Sequence, residues 1–274
     1  MKSKLDKKRF GPWALVTGAS SGIGREFARQ IAAAGINVVL VARRERLLED
    51  VGRSLAKDFG VEYRAVAADL SQAGFLEKLA EATDDLDLGL IVSNAGTGNP
   101  GKFLTIDREE LQNLLRLNTM SHLDIAHHFG QKLARRRKGG LLFVGAMGAL
   151  LGNPYMANDA AAKAYVLILG ESLHYDFQQM GLNVTVLMPG ATDTPVLTKF
   201  GFDAATMPMK PMSVQQCVAE GLAALSANRA TCIPGRMNRI MLNLMPRSLV
   251  RKMVGKMFEQ VVAKKSAVRA DALP

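Results

Sequence analysis

The chain has 274 residues, 48% of them hydrophobic, with two cysteines and a formal net charge of +10. Such a length fits one α/β domain or two small ones and buries a core without covalent staples. Cys217 and Cys232 come with no CxxC and no His/Cys cluster, so a disulfide framework and a metal site have no support and a reducing, cytoplasmic setting is expected.

The positive charge sits at the two ends. Residues 1–10 carry +4 and residues 236–274 carry +7, which leaves the middle near neutral at −1. That distribution, with no aromatic interleaving for base stacking, argues against a nucleic-acid groove. Residues 1–10 are expected to be a basic, flexible tail; they lack the apolar stretch of a signal peptide, and no run reaches the roughly 18 apolar residues of a membrane span.

From there strands and helices alternate. Residues 13–17 read as a strand, a glycine-rich loop follows, and 25–34 carry a helical apolar pattern that stops at Gly35. Residues 37–42 (NVVLVA) are apolar nearly throughout, as a parallel strand covered on both faces should be. Helices are then predicted over 46–59, 74–83, 109–134, 155–179 and 214–226, with strands over 62–67, 88–93, 141–145 and 183–188. Alternation of this kind requires parallel pairing through right-handed crossovers. The predicted fold is therefore α/β: a single doubly wound Rossmann-like domain over 11–235, with a mainly parallel sheet and helices on both faces. Within it, 194–212 is apolar and loop-rich, with Phe200, Phe202, Met207 and Met209, and reads as a substrate lid. Residues 236–274 read as a basic amphipathic helical extension whose apolar stripe runs from Leu249 and Val250 to Val261 and Val262. It is expected to dock on its own body or on a partner; peripheral contact with an anionic membrane is the less favoured alternative.

The chemistry-bearing residues lie at the predicted strand ends. In 17–24 (TGASSGIG), Gly18, Gly22 and Gly24 let the backbone turn tightly, while Ser20, Ser21 and Ile23 open a helix N-terminus suited to a pyrophosphate. After the second strand stand Arg43 and Arg44 rather than an acidic residue, so NADP(H) is favoured over NAD(H): arginine pairs with a 2′-phosphate that an aspartate would repel. The alternative is that they are solvated loop charges, paired locally with Glu45.

The loop 17–24, the pair Asp69-Leu70, the triplet Asn94-Ala95-Gly96, Asn118 and Lys163 together resemble the short-chain dehydrogenase/reductase superfamily over about residues 11–230. The resemblance implies an Asn, Ser, Tyr and Lys active site, with Tyr and Lys spaced Tyr-x-x-x-Lys. Asn118 and Lys163 match that pattern, but Asp159 stands at the tyrosine position and Ala146 at the serine position. It further implies that Asp69 contacts adenine, that 94–96 line the ribose, that Pro189, Gly190, Thr192 and Thr194 lie by the nicotinamide, and that the chain is a homo-oligomer. Tyr155, Met147 and Phe200 are expected at the substrate pocket.

A carboxylate at position 159 changes the expected chemistry. With an ordinary aspartate pKa of about 3.9 and an ammonium one helical turn away, Asp159 is expected to be ionised and paired with Lys163, with no proton to give an alkoxide. Three readings follow. The first is an atypical NADP(H)-dependent reductase of imine or iminium substrates, small, apolar and nitrogen-containing, with Asp159 stabilising the cation. The second is a carbonyl reductase disabled by nature or by design that still binds cofactor. The third is a non-redox proton-transfer or cyclisation catalyst.

Overall fold

The computed structural model describes residues 5–203, 207 and 210–270, and of residues 243 and 264–270 the backbone only. In chain order the elements are α1 (Lys7–Phe10), β1 (Trp13–Thr17), α2 (Gly22–Ala32), β2 (Asn37–Ala42), α3 (Glu45–Phe59), β3 (Tyr63–Ala67), α4 (Phe75–Glu81) and β4 (Leu88–Ser93). They continue as α5 (Arg108–Leu115), α6 (Ser121–Arg136), β5 (Gly140–Val144), α7 (Ala157–Gln178), β6 (Asn183–Leu187), α8 (Pro195–Phe200), α9 (Val214–Ser226), β7 (Thr231–Cys232), α10 (Arg236–Leu244) and α11 (Arg247–Ala270).

The seven strands form one parallel sheet in the order β3-β2-β1-β4-β5-β6-β7. Side chains alternate across it, which is why the strands read as continuous apolar runs. Ala14, Val16, Val38 and Leu40 pack with Phe27, Ile31, Leu48 and Leu222 of α2, α3 and α9. Leu15, Val39 and Val41 face the other way, onto Leu79, Phe129 and Val166 of α4, α6 and α7. Two apolar layers thus clamp the sheet, and the order in which successive strands are added reverses between β1 and β4. At such a reversal the connections on either side diverge and leave a crevice at the strands' carboxyl ends.

Four segments depart from the sequence expectation. The predicted helix over 109–134 is three pieces: α5, a π-helical turn Arg116–Met120, and α6. The wider turn brings Asn118 out of the helical ladder and into the crevice, a local geometry that recurs at functional sites. The basic segment before Gly11 is not a free tail where it is described: Asp6 caps α1, Phe10 is 1% exposed, and the Arg9 guanidinium donates to the Gly181 carbonyl at 2.7 Å and to Asn183 Oδ1 at 2.6 Å. Within the lid, 195–200 is helical; Met209 lies outside the described residues. The tail comprises two helices separated at Met245–Pro246, and no described helix is long and apolar enough to cross a membrane.

Because Phe10 is wedged under the sheet, its anchoring role is measurable. Phe10→Ala is expected to lower stability by about 3–5 kcal/mol in denaturant unfolding; a change near zero would mean that the N-terminal segment contributes no packing.

Candidate active site

The crevice is held open by hydrogen bonds between the ends of β1 and β4. Thr17 Oγ1 accepts from the backbone N–H groups of Asn94 and Ala95 at 2.8 and 2.9 Å, and Asn94 Nδ2 donates to the Thr17 carbonyl at 2.8 Å. Gly18, at φ +68°, turns the chain sharply out of β1. Gly24 must lack a side chain, because a Cβ there would run into the Gly18 carbonyl and the Asn94 amide. The chain therefore enters α2 hard against the sheet, with Ser20 and Ser21 on the rim. Ser21 is the N-cap but makes no side-chain cap bond, and the first turn of α2 contains no acid. An eleven-residue helix with free amides and no local anion favours negative charge at its start. Ile23 packs against the core beneath.

Around this cradle the other expected nucleotide residues divide. Arg43 and Arg44 are exposed at the end of β2, and among the described residues neither has a carboxylate partner, so the local pairing with Glu45 does not form. Asp69 Oδ1 accepts from the Ser71 amide and hydroxyl at 3.0 and 2.7 Å. Leu70 is a core side chain and offers a ligand only its backbone. Pro189 is tied by its carbonyl to the Met147 amide at 2.9 Å. Thr192 is buried, donating to the Gly190 carbonyl at 3.0 Å, whereas Thr194 stands at the N-cap position of α8, makes no side-chain cap bond there, and lies against Gly22.

The reactive cluster comes from three elements. Asn118, fully buried in the π turn, is fixed by both atoms of its amide: Oδ1 accepts from Thr97 N at 3.0 Å and Nδ2 donates to the Thr97 carbonyl at 2.7 Å. Nδ2 also donates to Asp159 Oδ1 at 3.0 Å. Asp159 lies in the first turn of α7, and Lys163, one turn on, directs Nζ to the Val144 carbonyl at 3.2 Å and beside Gly96. Asp159 therefore has Asn118 as its partner; among the described residues no ion pair joins it to Lys163.

Burial also reverses the expected direction of the Asp159 shift. Desolvation raises the Asp159 pKa above the ordinary aspartate value, outweighing the Lys163 charge and the Asn118 hydrogen bond that act to lower it. Lys163 is pushed down by the same cause, against the pull of Asp159. In water the spacing would favour a charged pair; in this cleft each lone charge costs more than an indirect neighbour returns. His122 behaves as a packing residue: Nδ1 lies 2.7 Å from Ser93 Oγ, and burial, helped by Lys163, takes its pKa down to about 3.

Ala146, extended at φ −161°, precedes a short 3₁₀ turn and presents only a methyl group. Beyond Asp159 lies a cavity of about 250 Å³ whose walls include Asn99, Lys102, Phe103, Tyr155 and Met156. Tyr155 lines it from a left-handed backbone at φ +65°, its carbonyl accepting from Gly101 N at 2.9 Å. Met147 does not line this cavity; it is buried against Gly190. Phe200, the last residue of α8, covers Gly98 instead. Unforeseen were Thr17, Thr97, Asn99, Lys102 and Lys199, which donates from α8 to Thr97 Oγ1 at 3.0 Å. Thr17, Thr97, Asn99 and Lys102 have no sequence signal beyond their position at or after a strand end, and Lys199 has only its place in the segment 194–212. Among the described residues no cluster fits a metal ion.

Comparison with known proteins agrees with this layout. The model of the family described as short chain dehydrogenase matches residues 12–204. A 7beta-hydroxysteroid dehydrogenase from Clostridium sardiniense is 29% identical over 258 residues, 93% of this chain and 98% of that protein. A solved 7beta-hydroxysteroid dehydrogenase superimposes with a TM-score of 0.83 at 28% identity, covering 91% of this chain and 98% of the other. A short-chain dehydrogenase from Sphingobium yanoikuyae, in complex with NADPH, superimposes with a TM-score of 0.77 at 25% identity over 96% of each chain.

The raised Asp159 pKa has a sign that stability measurements can read. Between the unfolded value near 3.8 and the higher folded value, the native state holds a proton that the unfolded state has lost, so stability falls as pH rises through that window. Asp159→Asn removes the titration. The variant should match wild type in Tm at the acid end and exceed it increasingly toward neutral pH; a constant gap, or one of opposite sign, would contradict the assignment.

Proposed function

We propose that the chain, which belongs to the short chain dehydrogenase family of oxidoreductases, is an atypical NADP(H)-dependent reductase acting on a small, apolar imine or iminium substrate. The observation that carries this reading is a half-buried carboxyl with a raised pKa, hydrogen-bonded to Asn118 and lining a cavity whose walls mix apolar side chains such as Phe103, Leu111 and Met156 with polar ones. Ala146 and Asp159 occupy the serine and tyrosine positions of the family pattern.

The residues present fit a dinucleotide. The Gly18–Gly24 turn leaves room for a pyrophosphate at the start of α2, and the two unpaired arginines after β2 match a 2′-phosphate better than a bare ribose. A bound nicotinamide supplies the hydride. Everything else falls to the chain's own groups. Asp159, protonated, gives its proton to the basic imine nitrogen: the carboxyl O–H bond breaks and an N–H bond forms. The carboxylate left behind faces the iminium, and two opposite charges created in contact inside a dry cleft offset each other's burial. Asn118 Nδ2 keeps Oδ1 oriented, while Lys163 stays on Val144 and the Gly96 side of the pocket. A ketone oxygen lacks the nitrogen's basicity and meets only a methyl at Ala146; a missing oxygen-stabilising donor of that kind costs about 3 kcal/mol at other sites.

That methyl favours one second reading, a carbonyl reductase with its proton-donating half disabled that still binds cofactor. The two separate by assay. On the first reading the protein oxidises NADPH with cyclic imines, and Asp159→Asn lowers kcat/KM by about a hundredfold or more. If imines give no turnover and Ala146→Ser with Asp159→Tyr together confer rapid ketone reduction, the second reading holds. Replacing Arg43 and Arg44 by Ala should weaken NADPH binding at least about tenfold while sparing NADH; equal affinity for both cofactors in wild type would sink the 2′-phosphate assignment.

A homo-oligomer is the proposed assembly. Helix α7 is apolar on two faces: Val166 and Leu167 enter the core, while Tyr165, Ile168 and Tyr175 are 40%, 60% and 69% exposed on the other side. A second copy covers such a face by symmetry. Ile168→Glu should reduce the sedimentation coefficient to that of a monomer.

A further inference from the structure

The C-terminal helices use only one of their two sides. On α11, Val250, Phe258, Val261 and Val262 turn inward, Phe258 meeting Phe202 edge-on with ring centres 5.1 Å apart, and Gly255 passing over Pro154. On its other side Leu249 and Met253, each 46% exposed, alternate with the exposed Lys252 and Lys256. Helix α10 goes further. None of its described side chains is fully buried, and Met237, Ile240 and Leu244, at i, i+3 and i+7, share one narrow arc with exposures of 60%, 38% and 77%.

Charge decides what could cover this surface. Over 236–263 the cations are Arg236, Arg239, Arg247, Arg251, Lys252 and Lys256, against the single carboxylate Glu259. Only Arg239 is neutralised, by Glu220 at 2.9 Å; among the described residues the other five have no acidic partner. A second copy docked here by twofold symmetry would bring the same cations face to face. An anionic lipid surface meets both features at once, with acyl chains for the protruding aliphatic and thioether groups and headgroup phosphates and carboxylates for the cations.

We propose that the outer side of α10 and α11 docks the protein reversibly onto anionic membranes, apart from the cofactor cradle and the reactive cluster. The full chain is mixed with vesicles of phosphatidylcholine alone or with about one-fifth phosphatidylserine, and the pelleted fraction is measured. Binding should be at least about tenfold stronger with phosphatidylserine and should fall as salt rises. Met237→Asp with Leu244→Asp should lower it about tenfold or more. Lys252→Gln and Lys256→Gln should each cost about fivefold. All four positions are exposed, so thermal melts of the variants should match wild type and keep the comparison clean. Equal pelleting on neutral and anionic vesicles, or none on either at low salt, would overturn the proposal. So would aspartate variants that shift the lipid-free oligomer to a smaller species while leaving vesicle binding intact, because the surface would then be an interface between copies.

Discussion

The hydrogen bonds joining Thr17 to Asn94 and Ala95 are the point on which the molecule turns. They fasten β1 to β4 where the strand order reverses, at the place where the backbone must also bend through Gly18 and leave space above it. With those two strand ends locked, the loop before α2 and the loop carrying Gly96 and Thr97 diverge from a fixed origin. Thr97 then fixes Asn118, and Asn118 fixes Asp159. The Asp159 carboxyl is thus oriented by a chain of side-chain and backbone contacts that begins in the core of the sheet, not in a surface loop.

The layered fold was legible because each strand between two helical layers is apolar on both sides, so 13–17, 37–42 and 88–93 announce themselves as short unbroken runs. The glycine loop was legible for a related reason: no other residue fits between Gly18 and Asn94. What could not be read has a common cause in contacts distant along the chain. The π turn forms because Asn118 finds Thr97, and the segment around Phe10 is ordered because Arg9 reaches Gly181 and Asn183. Strand β7 is only two residues long and exists through its pairing with β6.

The ionisation of Asp159 belongs to the same class. Sequence spacing supplies the separation of Asp159 and Lys163 along a helix, and in water that separation alone would favour two charges. It does not supply the surrounding medium. Once both groups are withdrawn from water, and Lys163 has turned to the Val144 carbonyl, desolvation outweighs their indirect attraction. An acidic side chain one turn from a lysine therefore has, in this cleft, a pKa above its ordinary value and not below it.

The inner side of the last helix touches Pro154, just ahead of the helix bearing Asp159, and Phe202, just beyond the lid helix bearing Lys199. It thereby ties the segment that leads into α7 to the segment that leaves α8. Any change in the spacing of those two segments must therefore also be accommodated by the packing of the C-terminal helix.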